Sequence, residues 1–390
     1  MPWSLPPRLT RSAPVIILFL TLAAAAAFAA VSHLVTRFNA NQLSRGRKLY
    51  EAGLADVNSG NSSRAIDEFR AALTCDRSDS QYQLSLGRAL RDTGRLDEAE
   101  SYLETLWQRT PDDGPVNLAL GRVAARRGSI EDALRYYHNA IYGVWTSDAD
   151  TTRRKVLIEL IEFLLQKNAM AQVQSELAVL GAFLSPASNP TLHLQAAQLF
   201  EQARDYAGAL SEYEKALRLD RGNPIALAAA GEAAFRAGRY RTAVRHLQDA
   251  VKANPQDSHS RDLQSTSELV LQVNPFVHGI SSAEHDRRIS AAFAKAGERL
   301  NACAQQQAFS LTPSDKPPYP ESLLAALHAE WLDDKHDMPQ LGSGREGELP
   351  GRMMNLVFRI EGTTADQCSA PQGGDEALLL ISKNPETADQ

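Results

Sequence analysis

PIALAAAGEAAFRAGRYRTAVRHLQDAVKANPQD, residues 224–257, is the stretch whose reading decides the fold. Leu227, Ala230, Gly231 and Ala234 recur at helical spacing, Gly238 interrupts them, and Ala243, Leu247 and Ala250 resume the pattern until Pro255. Two amphipathic helices joined by a glycine turn account for that order. Residues 80–113 carry the same landmarks at the same offsets: Leu86, Gly87, Leu90, Gly94, Ala99, Leu103, Leu106 and Pro111. A third unit starts at Gly114, with Leu120, Gly121, Ala124, Gly128, Ala133, Tyr137 and Ala140. Gly46 opens an earlier one with Gly53, Ala65, Phe69 and Ala72, and Pro190 a later one with Ala197, Phe200, Ala209, Tyr213 and Ala216. The stretch from Thr152 to Leu184 reads as a degenerate helix pair without the glycine, which brings the expected number of pairs to about six. A period of 34 residues is that of stacked helical hairpins.

Each landmark has a steric reason. Gly87, Gly121 and Gly231 let the first helix of a pair (helix A) approach the second (helix B), and Ala99, Ala133, Ala209 and Ala243 occupy the tight crossing. Gly94, Gly128 and Gly238 suit a left-handed turn between the helices, and Pro111 and Pro255 end helix B. Over residues 46–257 the chain resembles the tetratricopeptide-repeat family on these residues. The resemblance implies an all-α solenoid, a right-handed superhelix whose concave face is lined by helix A and holds peptides or partner proteins. It implies no fixed ligand.

On that face, helix A offsets 2, 5, 9, 12 and 13 point toward a ligand: Gln81, Leu84, Arg88, Arg91 and Asp92 in one repeat, and Leu118, Arg122, Ala125 and Arg126 in the next. Four arginines on adjacent repeats would suit an acidic or C-terminal segment, because a guanidinium pairs bidentately with a carboxylate. The alternative is a charged helix surface bridged to neighbouring acidic residues. Peptide-clamping members of the family combine lysines and asparagines, and this chain lacks those asparagines. Later units present Gln198, Glu201, Glu232, Phe235 and Arg236, so the basic groove is confined to the N-terminal half, and Phe235 is expected as a local apolar contact.

Residues 15–35 contain no charged side chain, and eleven of them are Val, Ile, Leu or Phe. Such a run covers a bilayer as a helix and gains roughly 3–7 kcal/mol on insertion. The expected layout is a basic tail over 1–13, a membrane helix over 14–36, the repeats over 46–257, capping and amphipathic helices over 258–311, and a small, partly irregular extension over 312–390. The alternative for the apolar run is a cleaved secretory signal, since Arg8 and Arg11 precede it and Ala27-Phe28-Ala29 has the small-x-small form of a cleavage site. No cysteine follows closely enough to carry a lipid. The first 48 residues hold six Arg or Lys and no acid, so twelve net negative charges fall on the body and disfavour nucleic-acid binding. Flanking charge barely chooses an orientation, and the extracytoplasmic side is slightly preferred for the body.

Beyond the array, Asn274-Pro275 ends one helix, Ile289, Phe293, Ala296 and Leu300 mark another, four prolines over 312–320 read as a linker, and Leu323, Leu324, Leu327 and Trp331 mark a third. The apolar runs 353–360 and 377–381 fit short strands or helix ends alike. Cys303 and Cys368 are a candidate disulfide pair, which would mark an oxidising compartment.

Catalytic signals are thin. Gly342-Ser343-Gly344-Arg345-Glu346-Gly347 matches a dinucleotide fingerprint in letters but lacks the strand and helix that fingerprint needs. His328-Ala329-Glu330 has no Pro-Cys-x-x-Cys to complete a deaminase signature. His336 and Asp337 beside Asp333 and Asp334 read as a solvated acidic stretch. We expect no metal, no cofactor and no catalysis. The reading is a single-pass membrane scaffold that binds a partner protein; the alternatives are a periplasmic assembly factor, or an array that delivers substrate to an activity in residues 312–390.

Overall fold

The computed structural model describes residues 13–184, 189–307, 323–341 and 348–383. Residues 1–12 of the basic tail, the proline-rich segment 312–320 and the glycine-rich 342–347 lie outside the described residues. The described residues form seventeen α-helices and one short 3-10 turn, with no strand beyond an isolated bridge between Asp113 and Val144. They divide into two compact units, Met1–Ala169 and Met170–Gln390.

The first unit holds α1 (Ala13–Asn58), α2 (Ser62–Cys75), α3 (Ser80–Asp92), α4 (Leu96–Trp107), α5 (Gly114–Arg127), α6 (Ile130–Tyr142) and α7 (Ala149–Gln166). Helices α1 and α2, α3 and α4, and α5 and α6 form antiparallel pairs, each packed on the next. Their seams are close: a Cβ on Gly87 would come within 2.8 Å of Leu103. The interhelical turns use Gly60, Gly94 and Gly128, each at φ 79°, where a side chain would be strained. Capping follows the sequence: Asp79 accepts from the amides of Gln81 and Tyr82, and Asp113 from that of Val116.

Helix α1 is one uninterrupted element, in which the apolar run and helix A of the first repeat are continuous. The helix runs on from the apolar run through residues 37–45, which contain neither proline nor glycine to end it. From Ile16 to Val35 the large apolar side chains are between 50% and 76% exposed. That part of α1 is long and apolar enough to cross a membrane.

The second unit holds α8 (Met170–Phe183), α9 (Pro190–Gln202), α10 (Tyr206–Leu219), α11 (Pro224–Arg236), α12 (Tyr240–Ala253), α13 (Ser258–Val273), α14 (Ser282–Gln306), α15 (Leu323–Asp337), α16 (Leu349–Gln367) and α17 (Gly374–Lys383). Helices α9 to α12 repeat the hairpin pattern, with Gly231 so close to helix α12 that a Cβ would lie 2.5 Å from Leu247. Helix α13 packs on α12, and α14 to α17 build a further core on it, centred on Ile289, Phe293, Trp331, Met353, Val357 and Ile381. The runs 353–360 and 377–381, open between strand and helix in sequence, are both helical. Met353, Met354, Leu356, Val357 and Ile360 are buried together because their spacing puts them on one side of a helix. Trp331 stacks on Phe293 and donates its indole N–H to the Phe293 carbonyl at 2.9 Å. A disulfide between Cys303 and Cys368, Cα atoms 5.6 Å apart, joins the C-terminal ends of α14 and α16.

Candidate functional site

Charged side chains from α3, α5 and α7, successive helix A positions of the first unit, converge on one cleft. Arg91, Arg122, Arg126, Tyr137, Glu159 and Phe163 line a cleft there of about 440 Å³. Arg122 forks onto Glu159, donating from Nε to Oε1 at 2.8 Å and from Nη2 to Oε2 at 2.7 Å. Tyr137 donates its hydroxyl to the same Oε1 at 2.7 Å, so helices α5, α6 and α7 meet on one carboxylate. Burial pushes the Glu159 carboxyl up, but the bonds from Arg122 and Tyr137 outweigh burial and hold it below the usual carboxylate range. The Tyr137 phenol is pushed up, by burial first and then by that carboxylate.

Arg91 is bound to its neighbour Asp92 through Nε at 2.8 Å and Nη2 at 2.6 Å, while its buried Nη1 has no acceptor. Arg88 forms no ion pair among the described residues, and burial, then the nearby Arg122 and Arg91 charges, draw its pKa down. Arg126 is exposed and likewise without an acidic partner among the described residues. The groove is thus part neutralised and part free. Arg122 and Arg91 are closed by Glu159 and Asp92, whereas Arg126 on the cleft wall has no acid of its own among the described residues, and neither has Arg88, which lies near Arg91 and Arg122 but does not line the cleft.

The other sequence-derived positions fall elsewhere. Leu84 and Leu118 are 5% and 7% exposed, withdrawn into the packing between helices, where an apolar side chain at that offset is drawn. Gln81 is exposed at the start of α3 and does not line the cleft. Phe235, expected as a ligand contact, packs against Tyr240 at 5.6 Å and against the core built by α14 to α17. That core shields a ring that a bare solenoid end would leave open. Sequence reasoning missed Glu159, Tyr137 and Phe163. Leu157, Leu160, Ile161 and Leu164 turn inward from α7, which leaves Glu159 and Glu162 on another face, a signal present in sequence but obscured by the missing repeat glycine.

The remaining motifs resolve into structure. His328 stacks on Trp331, and Glu330 holds Arg359 at 2.6 Å. Asp334 and Asp337 each hold Arg352 at 2.8 Å. Among the described residues no group of three His, Cys, Asp or Glu side chains is arranged to hold a metal ion.

Family comparison follows this geometry. Tetratricopeptide-repeat models match residues 50–114, 90–141 and 200–266. The chain is a tetratricopeptide-repeat protein. No curated protein sequence matches it. Among solved structures, this tetratricopeptide-repeat protein is similar to PilF of Pseudomonas aeruginosa at 17% identity, with 58% of this chain and 99% of that chain covered and a TM-score of 0.38. It is also similar to PilW, described as a type IV pilus biogenesis factor, at 14% identity over 56% and 97% of the two chains, TM-score 0.36. The C-terminal part of a repeat protein from Cytophaga hutchinsonii matches at 14% identity over 62% and 93%, TM-score 0.40.

Proposed function

We propose that this protein is a non-catalytic, membrane-anchored scaffold that holds an acidic segment of a partner protein in the cleft between α3, α5 and α7. The observation that carries the reading is the pair of guanidinium groups left without an acid among the described residues after internal pairing: Arg126 on the cleft wall and Arg88 close to Arg91 and Arg122. Crowded guanidinium groups repel one another, and a bound carboxylate relieves that repulsion. The exposed apolar run of α1 supports insertion in a bilayer. The disulfide in the second unit favours a body on the oxidising side of that membrane, and so favours the reading as an extracytoplasmic assembly factor.

The test is cross-linking of the full chain in its native membranes, comparing wild type with an Arg88→Gln, Arg126→Glu double variant. One specific protein recovered with wild type and reduced tenfold or more in the variant is the expected outcome, a loss of about 1.4 kcal/mol or more. Equal recovery from both would discard the basic cleft. Alkaline extraction of the same membranes tests the anchor independently: the chain is expected to stay in the pellet.

A further inference from the structure

A groove in the second unit is independent of that cleft. It runs along α14 and is walled by the end of α13 and the start of α17, with a volume of about 460 Å³. Val273, Ala291, Ala292 and Leu378 give it an apolar floor. Along the rim stand Glu284, Arg287, Arg288 and Lys295. Arg288 is held in place, donating to the carbonyls of Leu271 at 3.0 Å and Asn274 at 2.7 Å and to Glu284 at 2.7 Å. Glu284 also serves Arg287 at 2.6 Å, so one carboxylate answers two guanidiniums and a positive charge is left over. Lys295 meets Asp375 at 3.3 Å. The two cations with room to move are Arg287 and Lys295, 76% and 42% exposed.

We propose that this groove is a second recognition site, for an extended segment of a partner protein in which two acidic residues flank apolar ones. Arg287 and Lys295 are eight residues apart on one helix, a rise of about 12 Å. An extended chain advances about 3.3 Å per residue, so acids four positions apart reach both cations while the residues between them lie over the alanines. A fatty acid fits the floor but has one charged end, and the rim offers two separated ones. Pockets of this size hold a few side chains, enough for register but not for a folded domain.

The test is fluorescence anisotropy of a labelled peptide with the core Asp-Leu-Val-Leu-Asp, added in detergent micelles to the full chain carrying Arg88→Gln and Arg126→Glu, which removes the basic cleft of the first unit. Saturable binding is expected, weakened at least tenfold by an Arg287→Glu, Lys295→Glu double variant and abolished by Ala291→Trp, which fills the groove from an exposed position. Absence of binding in that background, or binding indifferent to Ala291→Trp, would each overturn the proposal. Laurate displacing the peptide from that background more tightly than an unlabelled copy would overturn it in favour of a lipid. The surface pair Arg287→Glu, Lys295→Glu keeps the test readable if Ala291→Trp disturbs folding.

Discussion

Glu361 is the residue most at odds with its surroundings. It is completely buried in α16, and neither carboxylate oxygen has a hydrogen-bond partner. Burial, then the facing Asp375, pushes its pKa up to about 8, against the pull of Arg299 and Lys295. The proton is therefore held more tightly in the folded chain than in the unfolded one. Stability from this group is complete below the ordinary glutamate range and is lost as pH rises toward about 8. The melting temperature of the second unit is expected to fall between pH 5 and pH 8, and Glu361→Gln is expected to flatten that slope and to be the more stable form at pH 8.5. The effect is on the order of 3–5 kcal/mol. A slope unchanged in Glu361→Gln would place the titration elsewhere. At the same scale the offsets pick out Arg91, Arg122 and Arg126, which line the cleft, and Arg88, which does not, but they say nothing of the partners. Glu159 is 37 residues from Arg122, and nothing local in the sequence announces a bond across that separation.

At the scale of the helix, what could be read depended on glycine. Where a repeat has Gly94, Gly128 or Gly238, the positive φ of the turn is accommodated without strain and the pair is visible in sequence. Where the turn falls on Asn168 or Arg204, the backbone adopts φ of 55° and 60° all the same, and the helix pair reads as degenerate or is marked only by its alanines, Phe200 and Tyr213. Packing, not the turn residue, sets the geometry there. Arg204→Gly is therefore expected to raise stability by about 0.5–1 kcal/mol, measured by chemical denaturation. Gly231→Ala should do the reverse, by about 1–3 kcal/mol, since its Cβ would press on Leu247. Opposite behaviour at these two sites would show which positions serve the turn and which serve the seam. The runs 353–360 and 377–381 were ambiguous for a related reason. Short apolar stretches fit strand and helix alike until their neighbours decide, and α14 supplies the surface that α16 and α17 need.

Over the whole molecule, repetition made the solenoid legible and its absence hid the second unit's terminal core. That core collects residues from α12 to α17, more than a hundred positions apart, with no period to betray them. The Cys303–Cys368 link closes a loop of 65 residues within it, and closing such a loop stabilises by about 4 kcal/mol at most. In a Cys303→Ser, Cys368→Ser variant the terminal helices are expected to become protease-sensitive first while most helical signal from the repeats persists; simultaneous loss of both would mean that the core and the repeats melt as one. The unbroken course of α1 has a consequence for reach. Ten helical residues lie between the end of the apolar run and the first repeat glycine, a fixed post of about 15 Å, where a flexible tether of that length would let its load wander over a comparable radius. With α1 in a bilayer and a cargo on the first repeats, as proposed above, that cargo is carried at a set height and heading, so its encounters with neighbours in the bilayer are those of a body turning about one axis.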